Sequence, residues 1–107
     1  MQVKVFDSES TLGYKQITTY FSDFSIADAF GPKAIKDTYK RGLEWAKTNY
    51  KILTEFVMVL NWKLWQHWEE GHEEIAKLYN DLWEEARNYA YKHLKGKELE
   101  YYYETTD

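Results

Sequence analysis

The stretch that decides the fold spans residues 33–70 and reads KAIKDTYKRGLEWAKTNYKILTEFVMVLNWKLWQHWEE. Its apolar residues recur three or four positions apart, which places them on one face of an α-helix. The register passes through Thr48 and Asn49 without a slip, so the spacing predicts one continuous helix over residues 33–70, on the order of 55 Å long. A bend near Asn49 is the alternative, because asparagine competes for backbone hydrogen bonds inside helices. The residues on the apolar face are Ile35, Tyr39, Gly42, Ala46, Tyr50, Leu53, Val57, Leu60, Leu64 and Trp68.

The segments on either side of this stretch also carry helix signals. Gly71 predicts a helix end, and a second periodic pattern predicts a helix over residues 72–95 that folds back antiparallel to the first. On the other side, capping residues predict a short helix over residues 22–31. This helix ends at Gly31, and Pro32 then opens the next one.

The two ends of the chain differ from its helical middle. An alternating pattern predicts a strand or hairpin within residues 1–21 that packs on the helices. Residues 97–107 are predicted to be an acidic, tyrosine-rich tail. The predicted fold class is therefore mostly α, with a single domain over residues 1–107. It is a long antiparallel helical hairpin or small bundle, with a short N-terminal helix and an N-terminal β-strand or hairpin.

The composition indicates a globular protein that stays out of membranes. The chain has 107 residues, of which 44% are hydrophobic and 30% are charged, as is typical of one folded domain. No apolar run approaches the roughly 20 residues that a bilayer-spanning helix needs. The absence of cysteine excludes disulfides, thiolate metal ligands and a cysteine nucleophile. We therefore expect a cytoplasmic protein.

A second apolar stripe lies on the far side of the predicted long helix. At about 100° per residue, Met58, Trp62 and Trp65 fall nearly opposite the main apolar face. A helix that is apolar on two sides is usually covered on both. Two covers are open at this stage: the N-terminal segment, or a second copy of the chain or another partner, since tryptophan and methionine are enriched in interfaces.

Charge is distributed unevenly along the chain. Residues 33–68 contain seven basic and three acidic side chains, a net of +4, whereas residues 69–107 contain five and eleven, a net of −6. The basic residues of the first segment include four lysines that cluster on one helix face. This face is either solvated and balanced by the acidic helix, or it binds an anionic partner. The four lysines are Lys33, Lys36, Lys40 and Lys47.

The sequence carries no pattern that predicts catalysis, a cofactor or a metal. Its glycines form no phosphate-binding loop, and no serine lies in a nucleophile motif. His67, His72 and His93 lack the spacing that puts two metal ligands on one helix face, so the first two are interpreted as part of a solvated turn. Residues 26–31 are similar to the start of a helix-turn-helix, but Asp37 occupies the position where the second helix needs a buried aliphatic residue. We therefore expect no enzymatic activity, no cofactor and no metal.

Three runs of the sequence resemble a known group of proteins. Residues 24–31 (FSIADAFG), 35–41 (IKDTYKR) and 53–61 (LTEFVMVLN) are similar to small proteins carried on phages and conjugative elements of gut bacteria. That group has no known activity. The resemblance therefore implies an accessory protein of a mobile element and identifies no site residues.

The function predicted from these patterns is a non-enzymatic protein-interaction module that forms a homodimer through its aromatic helical face. The alternative is a nucleic-acid-related regulator, which would act through the lysine face or through acidic mimicry of a nucleic acid. A net charge of −4 opposes the basic footprint that dominates the affinity of proteins that bind nucleic acids directly.

Overall fold

The computed structural model describes residues 22–106, and this part of the chain is a bundle of α-helices. The prediction of a mostly α fold is confirmed, and no strand occurs within the described range. The strand or hairpin predicted within residues 1–21 lies outside the described residues. None of the described helices is both long and apolar enough to cross a membrane. The helices are α1 (residues 22–30), α2 (Pro32–Ala46), α3 (Tyr50–Glu69), α4 (Glu73–His93) and α5 (Lys97–Thr106).

The prediction of one continuous helix over residues 33–70 is wrong, because the chain breaks between α2 and α3. Asn49 adopts an extended conformation (φ −158°, ψ 129°), and its Oδ1 accepts a hydrogen bond of 2.7 Å from the backbone N–H of Lys51. This side-chain bond satisfies a backbone donor at the start of α3, as asparagine does at helix N-termini. The apolar register survives the break because both helices bury their stripes in the same core.

The break changes the shape of the molecule. A continuous helix would span on the order of 55 Å, whereas the largest principal extent of the structure is 37 Å. Gly42 of α2 lies against α3 so closely that a Cβ added there would be 2.5 Å from Cε1 of the Phe56 ring. Only glycine permits this approach, so the two helices pack against each other instead of continuing in line.

The prediction of a tail over residues 97–107 is also wrong, because residues 97–106 form α5. Gly96 (φ 60°) makes the turn that precedes it, and α5 then packs on α3. Tyr102 is 2% exposed and meets the ring of Tyr91 edge-on at a centroid distance of 5.5 Å. One of the tyrosines that made this segment look like a tail, Tyr102, is therefore part of the core.

The centre of the bundle is the antiparallel pair of α3 and α4. Gly71 (φ 84°) forms the tight turn between them, in a region of backbone conformation that favours glycine. The helices α1 and α2 cover one side of this pair, and Phe24 of α1 lies fully buried against Phe56 and Tyr79. Because α3 is central, most of its first eleven residues are buried.

Candidate functional site

The tryptophans of the predicted aromatic stripe lie at the surface of α3. Trp65 is 54% exposed and Trp62 is 41% exposed. Trp68, which the sequence pattern placed on the buried face, is also exposed, at 52%. These indoles are three residues apart, so they follow one side of the helix. We call Trp62, Trp65 and Trp68 the tryptophan ridge.

A shallow groove runs between the tryptophan ridge and α4. It has a volume of about 360 Å³, and aliphatic and aromatic side chains form most of its wall. Tryptophan supplies a large apolar surface at a low conformational cost, and exposed apolar surfaces of this kind mark binding sites. The residues that line the groove are Leu64, Trp65, Trp68, Ala76, Lys77 and Asn80.

Met58 does not share this surface. It is half-buried and, together with Trp62, lines a separate cavity of about 460 Å³ between α3, α4 and α5. The guanidinium of Arg87 lies in the same wall, 4.5 Å from the centroid of the Trp83 ring. The three predicted interface residues therefore do not form one surface. Met58 and Trp62 line the cavity, whereas Trp65 lines the groove. Trp62 also belongs to the tryptophan ridge.

Carboxylates lie close to all four lysines of the predicted anion-binding face. Lys33 pairs with Asp37 at 3.4 Å. Lys47 lies 3.4 Å from Glu44, and its ammonium is 5.2 Å from the centroid of the Tyr89 ring. Lys36 and Lys40 line a groove whose opposite wall, on α4, carries Asp81 and Glu85. This arrangement matches the interpretation of a face balanced by the acidic helix more closely than that of a uniform anion-binding patch.

A buried polar cluster, which we call the Asp28 cluster, joins α1 to α3 and α4. The carboxylate of Asp28 accepts a hydrogen bond of 2.7 Å from the Tyr79 hydroxyl and lies 2.7 Å from the ammonium of Lys63. Nε2 of His67 is 2.9 Å from the same carboxylate. Lys63 also donates a hydrogen bond of 3.3 Å to the Ser25 hydroxyl. The side chain of Lys63 is 1% exposed, which makes this an ion pair withdrawn from solvent.

Two opposing effects act on the acidity of Asp28. Burial raises the pKa of its carboxyl group, because it disfavours the charged form. Hydrogen bonds from Lys63, Tyr79 and His67, together with the positive charge of Lys63, favour the carboxylate and outweigh burial. The net result is a pKa below the ordinary value of 3.8. The carboxylate is therefore a stable anion at neutral pH that holds three donors in place.

The Asp28 cluster was not predicted from the sequence. The available signal was a lysine and a histidine four residues apart, at positions 63 and 67, within the most apolar stretch of the chain. Such residues are rarely buried unless they are paired. Their partner could not be identified, because Asp28 lies 39 residues from His67 and 51 from Tyr79.

The structure also brings together two histidines that the sequence analysis treated as a solvated turn. Nδ1 of His67 and Nδ1 of His72 are 3.1 Å apart, and Oε1 of Glu70 lies 3.5 Å from Nδ1 of His72. The third histidine, His93, lies at the other end of α4, where it stacks on Tyr89. His67 is therefore shared between the Asp28 cluster and the turn at Gly71.

Fold and surface together define an all-α bundle with a buried ion pair and an exposed tryptophan ridge. Comparison with known proteins adds no relative, since no family model, no curated protein and no solved structure matches the chain.

Proposed function

We propose that this protein is a non-enzymatic interaction module that forms a homodimer through the tryptophan ridge. The observation that carries the proposal is the position of Trp65 and Trp68, which are each about half exposed beside an apolar groove. Tryptophan is the residue type most enriched among the side chains that dominate binding energy in interfaces. A bundle that only needed solubility would place charged side chains at these positions.

A second copy of the chain is the partner that this surface fits best. A two-fold dimer requires a self-complementary patch, in which a projecting group of each subunit meets a recess of the other. The ridge and the groove provide both features side by side, with Trp65 and Trp68 forming the wall of a groove of about 360 Å³. The indoles of one copy can therefore enter the groove of the other.

The nucleic-acid-related alternative has weaker support. The lysine face carries Asp37 and Glu44 beside its own lysines, so its positive potential is reduced. Acidic mimicry would use the net charge of −6 over residues 69–107, most of which belong to α4 and α5. Within the preferred proposal the protein acts in the cytoplasm, and the phage or conjugative-element setting remains an expectation from the resemblance.

Solution mass tests the proposal directly. Light scattering coupled to size exclusion, at several concentrations, is expected to give about twice the chain mass of 12.9 kDa. The double variant Trp65→Ala/Trp68→Ala is expected to give a monomer with unchanged helix content, because both side chains are largely exposed. Circular dichroism checks that the variant remains folded.

Phe30→Ala is the matched control for loss of exposed aromatic surface. Phe30 is 78% exposed and lines a different groove, between α1 and α2. This variant is expected to remain dimeric. A wild-type protein of single-chain mass at every concentration would refute self-association, and a dimer that survives in the double variant would place the interface elsewhere.

A further inference from the structure

Three side chains converge at the turn between α3 and α4. Nδ1 of His67, Nδ1 of His72 and a carboxylate oxygen of Glu70 all lie within 4.8 Å of one another. The backbone N–H of His72 donates a 2.8 Å hydrogen bond to the carbonyl of His67 across Gly71. This bond, together with the positive φ of Gly71, turns the His72 ring back over His67.

Two of the three separations between these atoms are close to those of ligands around one metal ion, and the third is within 4.8 Å. Zinc binds histidine nitrogen at about 2.0–2.1 Å in tetrahedral sites, so two of its ligand atoms lie roughly 3.3–3.4 Å apart. The separations here are 3.1 Å between the two nitrogens and 3.5 Å between His72 and Glu70. Two imidazoles and one carboxylate suit a borderline transition ion, whereas calcium and magnesium prefer oxygen ligands alone.

The buried side of the turn supplies the support that metal-binding histidines need. A ligating histidine usually donates its other ring N–H to a carboxylate, which fixes the tautomer and the ring orientation. Nε2 of His67 is 2.9 Å from Asp28, and Asp28 is itself held by Tyr79 and Lys63. The His67 ring also stacks on Tyr79, with 9° between the ring planes. In the neutral tautomer whose Nε2–H donates to Asp28, the lone pair of His67 is on Nδ1, 3.1 Å from Nδ1 of His72.

We propose that His67, Glu70 and His72 form a Zn²⁺ site with three protein ligands. His67 is the buried ligand, while the side chains of Glu70 and His72 are about half exposed. The fourth coordination position therefore faces solvent and takes a water molecule or a group from a partner. The site is independent of the tryptophan ridge, and dimerisation is not required for it.

Calorimetric titration of the full chain with ZnCl₂ tests the site, with any histidine tag removed beforehand. One ion is expected per chain, and MgCl₂ is expected to give no binding. His72→Gln removes an exposed ligand without disturbing the core. It is expected to weaken the affinity by more than the roughly 10–100-fold that loss of an outer partner costs. Substitution of Co²⁺ for Zn²⁺ is expected to produce the strong visible absorption of a four-coordinate site.

His93→Gln is the control, because it removes the histidine that lies far from the turn. Its Zn²⁺ affinity is expected to equal that of the wild type. Absence of Zn²⁺ binding to the wild type would overturn the proposal. So would an unchanged Zn²⁺ affinity in His72→Gln, an equal loss of affinity in His93→Gln, or one ion shared between two chains.

Discussion

At the scale of single residues, the most unusual side chain is Lys63. It is fully buried, and withdrawing an ammonium group from water is unfavourable by several kcal/mol unless a counter-charge and hydrogen bonds compensate. Asp28 supplies the charge at 2.7 Å, and Ser25 accepts a hydrogen bond. Replacing only one member of such a pair is more harmful than replacing both.

We therefore expect Lys63→Met to lower the free energy of unfolding by about 3 kcal/mol, because it leaves a largely buried carboxylate without its counter-charge. Adding Asp28→Asn to Lys63→Met is expected to recover part of this loss. Urea denaturation of both single variants and the double variant measures the coupling. Lys33→Met is the control, since the pair of Lys33 with Asp37 is exposed and contributes little. Strict additivity of the two core substitutions would contradict the assignment of an energetic ion pair.

Glu55 is a second buried charge, and it has less compensation. Its Oε2 accepts a hydrogen bond of 3.2 Å from the Tyr101 hydroxyl, while Oε1 has no hydrogen-bond partner within the described residues. Burial raises the pKa of this carboxyl group above the ordinary 4.5, and the bond from Tyr101 opposes the rise without cancelling it. The folded state thus favours the protonated acid. Stability is lost as the pH rises from 4.5 through the raised pKa.

Glu55→Gln is expected to stabilise the protein at neutral pH, because glutamine keeps an acceptor for Tyr101 and never ionises. The thermal midpoint of the wild type is expected to fall relative to that of the variant between pH 4.5 and about pH 7. Circular dichroism melts at the two pH values measure this difference. A variant that is less stable than the wild type at neutral pH would show that the charged form is the favoured one.

At the scale of helices, the amphipathic period and the glycines predicted the helical segments of the middle of the chain, but not the break within residues 33–70. The pattern in residues 33–70 is continuous because α2 and α3 share one core, and periodicity reports burial, not chain direction. The break depends on the capping bond of Asn49 and on the close approach at Gly42. The close approach at Gly42 is a contact between two helices, and such a contact has no periodic pattern in the sequence. The short helix α5 was not predicted, because it has a single buried residue, Tyr102, and its acidic, tyrosine-rich composition resembles that of a tail.

The packing of α5 can be tested with two adjacent tyrosines. Tyr102 is 2% exposed, whereas Tyr103 is 46% exposed. Tyr102→Ala is expected to lower the free energy of unfolding by about 3 kcal/mol, as for other large-to-small core substitutions. Tyr103→Ala is expected to change it by less than about 0.5 kcal/mol. Urea denaturation compares the two variants, and equal effects would mean that α5 does not pack as described.

At the scale of the whole molecule, the sequence indicated the helical segments but not the polar contacts that are buried between them. Trp62 and Trp65 lie at the surface of α3, but Trp68, which was predicted on the buried face, is exposed as well. Met58, which was predicted beside them, lines a separate cavity. Neither the Asp28 cluster nor the pairing of His67 with His72 could be predicted from the sequence. The first depends on contacts between residues far apart in the chain. The pairing of the two histidines depends on the backbone conformation of Gly71, which the spacing of residues in the sequence does not predict.

The bonds of Asp28 also bear on how the protein unfolds. They connect α1 to residues 39 and 51 positions further along the chain, on two different helices. If α1 left the bundle alone, it would take with it the counter-charge of Lys63 and the hydrogen-bond acceptor of Tyr79. A short peripheral helix would ordinarily fray with little cost in free energy. Here its detachment removes an ionic partner from the middle of α3, so we expect α1, α3 and α4 to lose their structure as one cooperative unit.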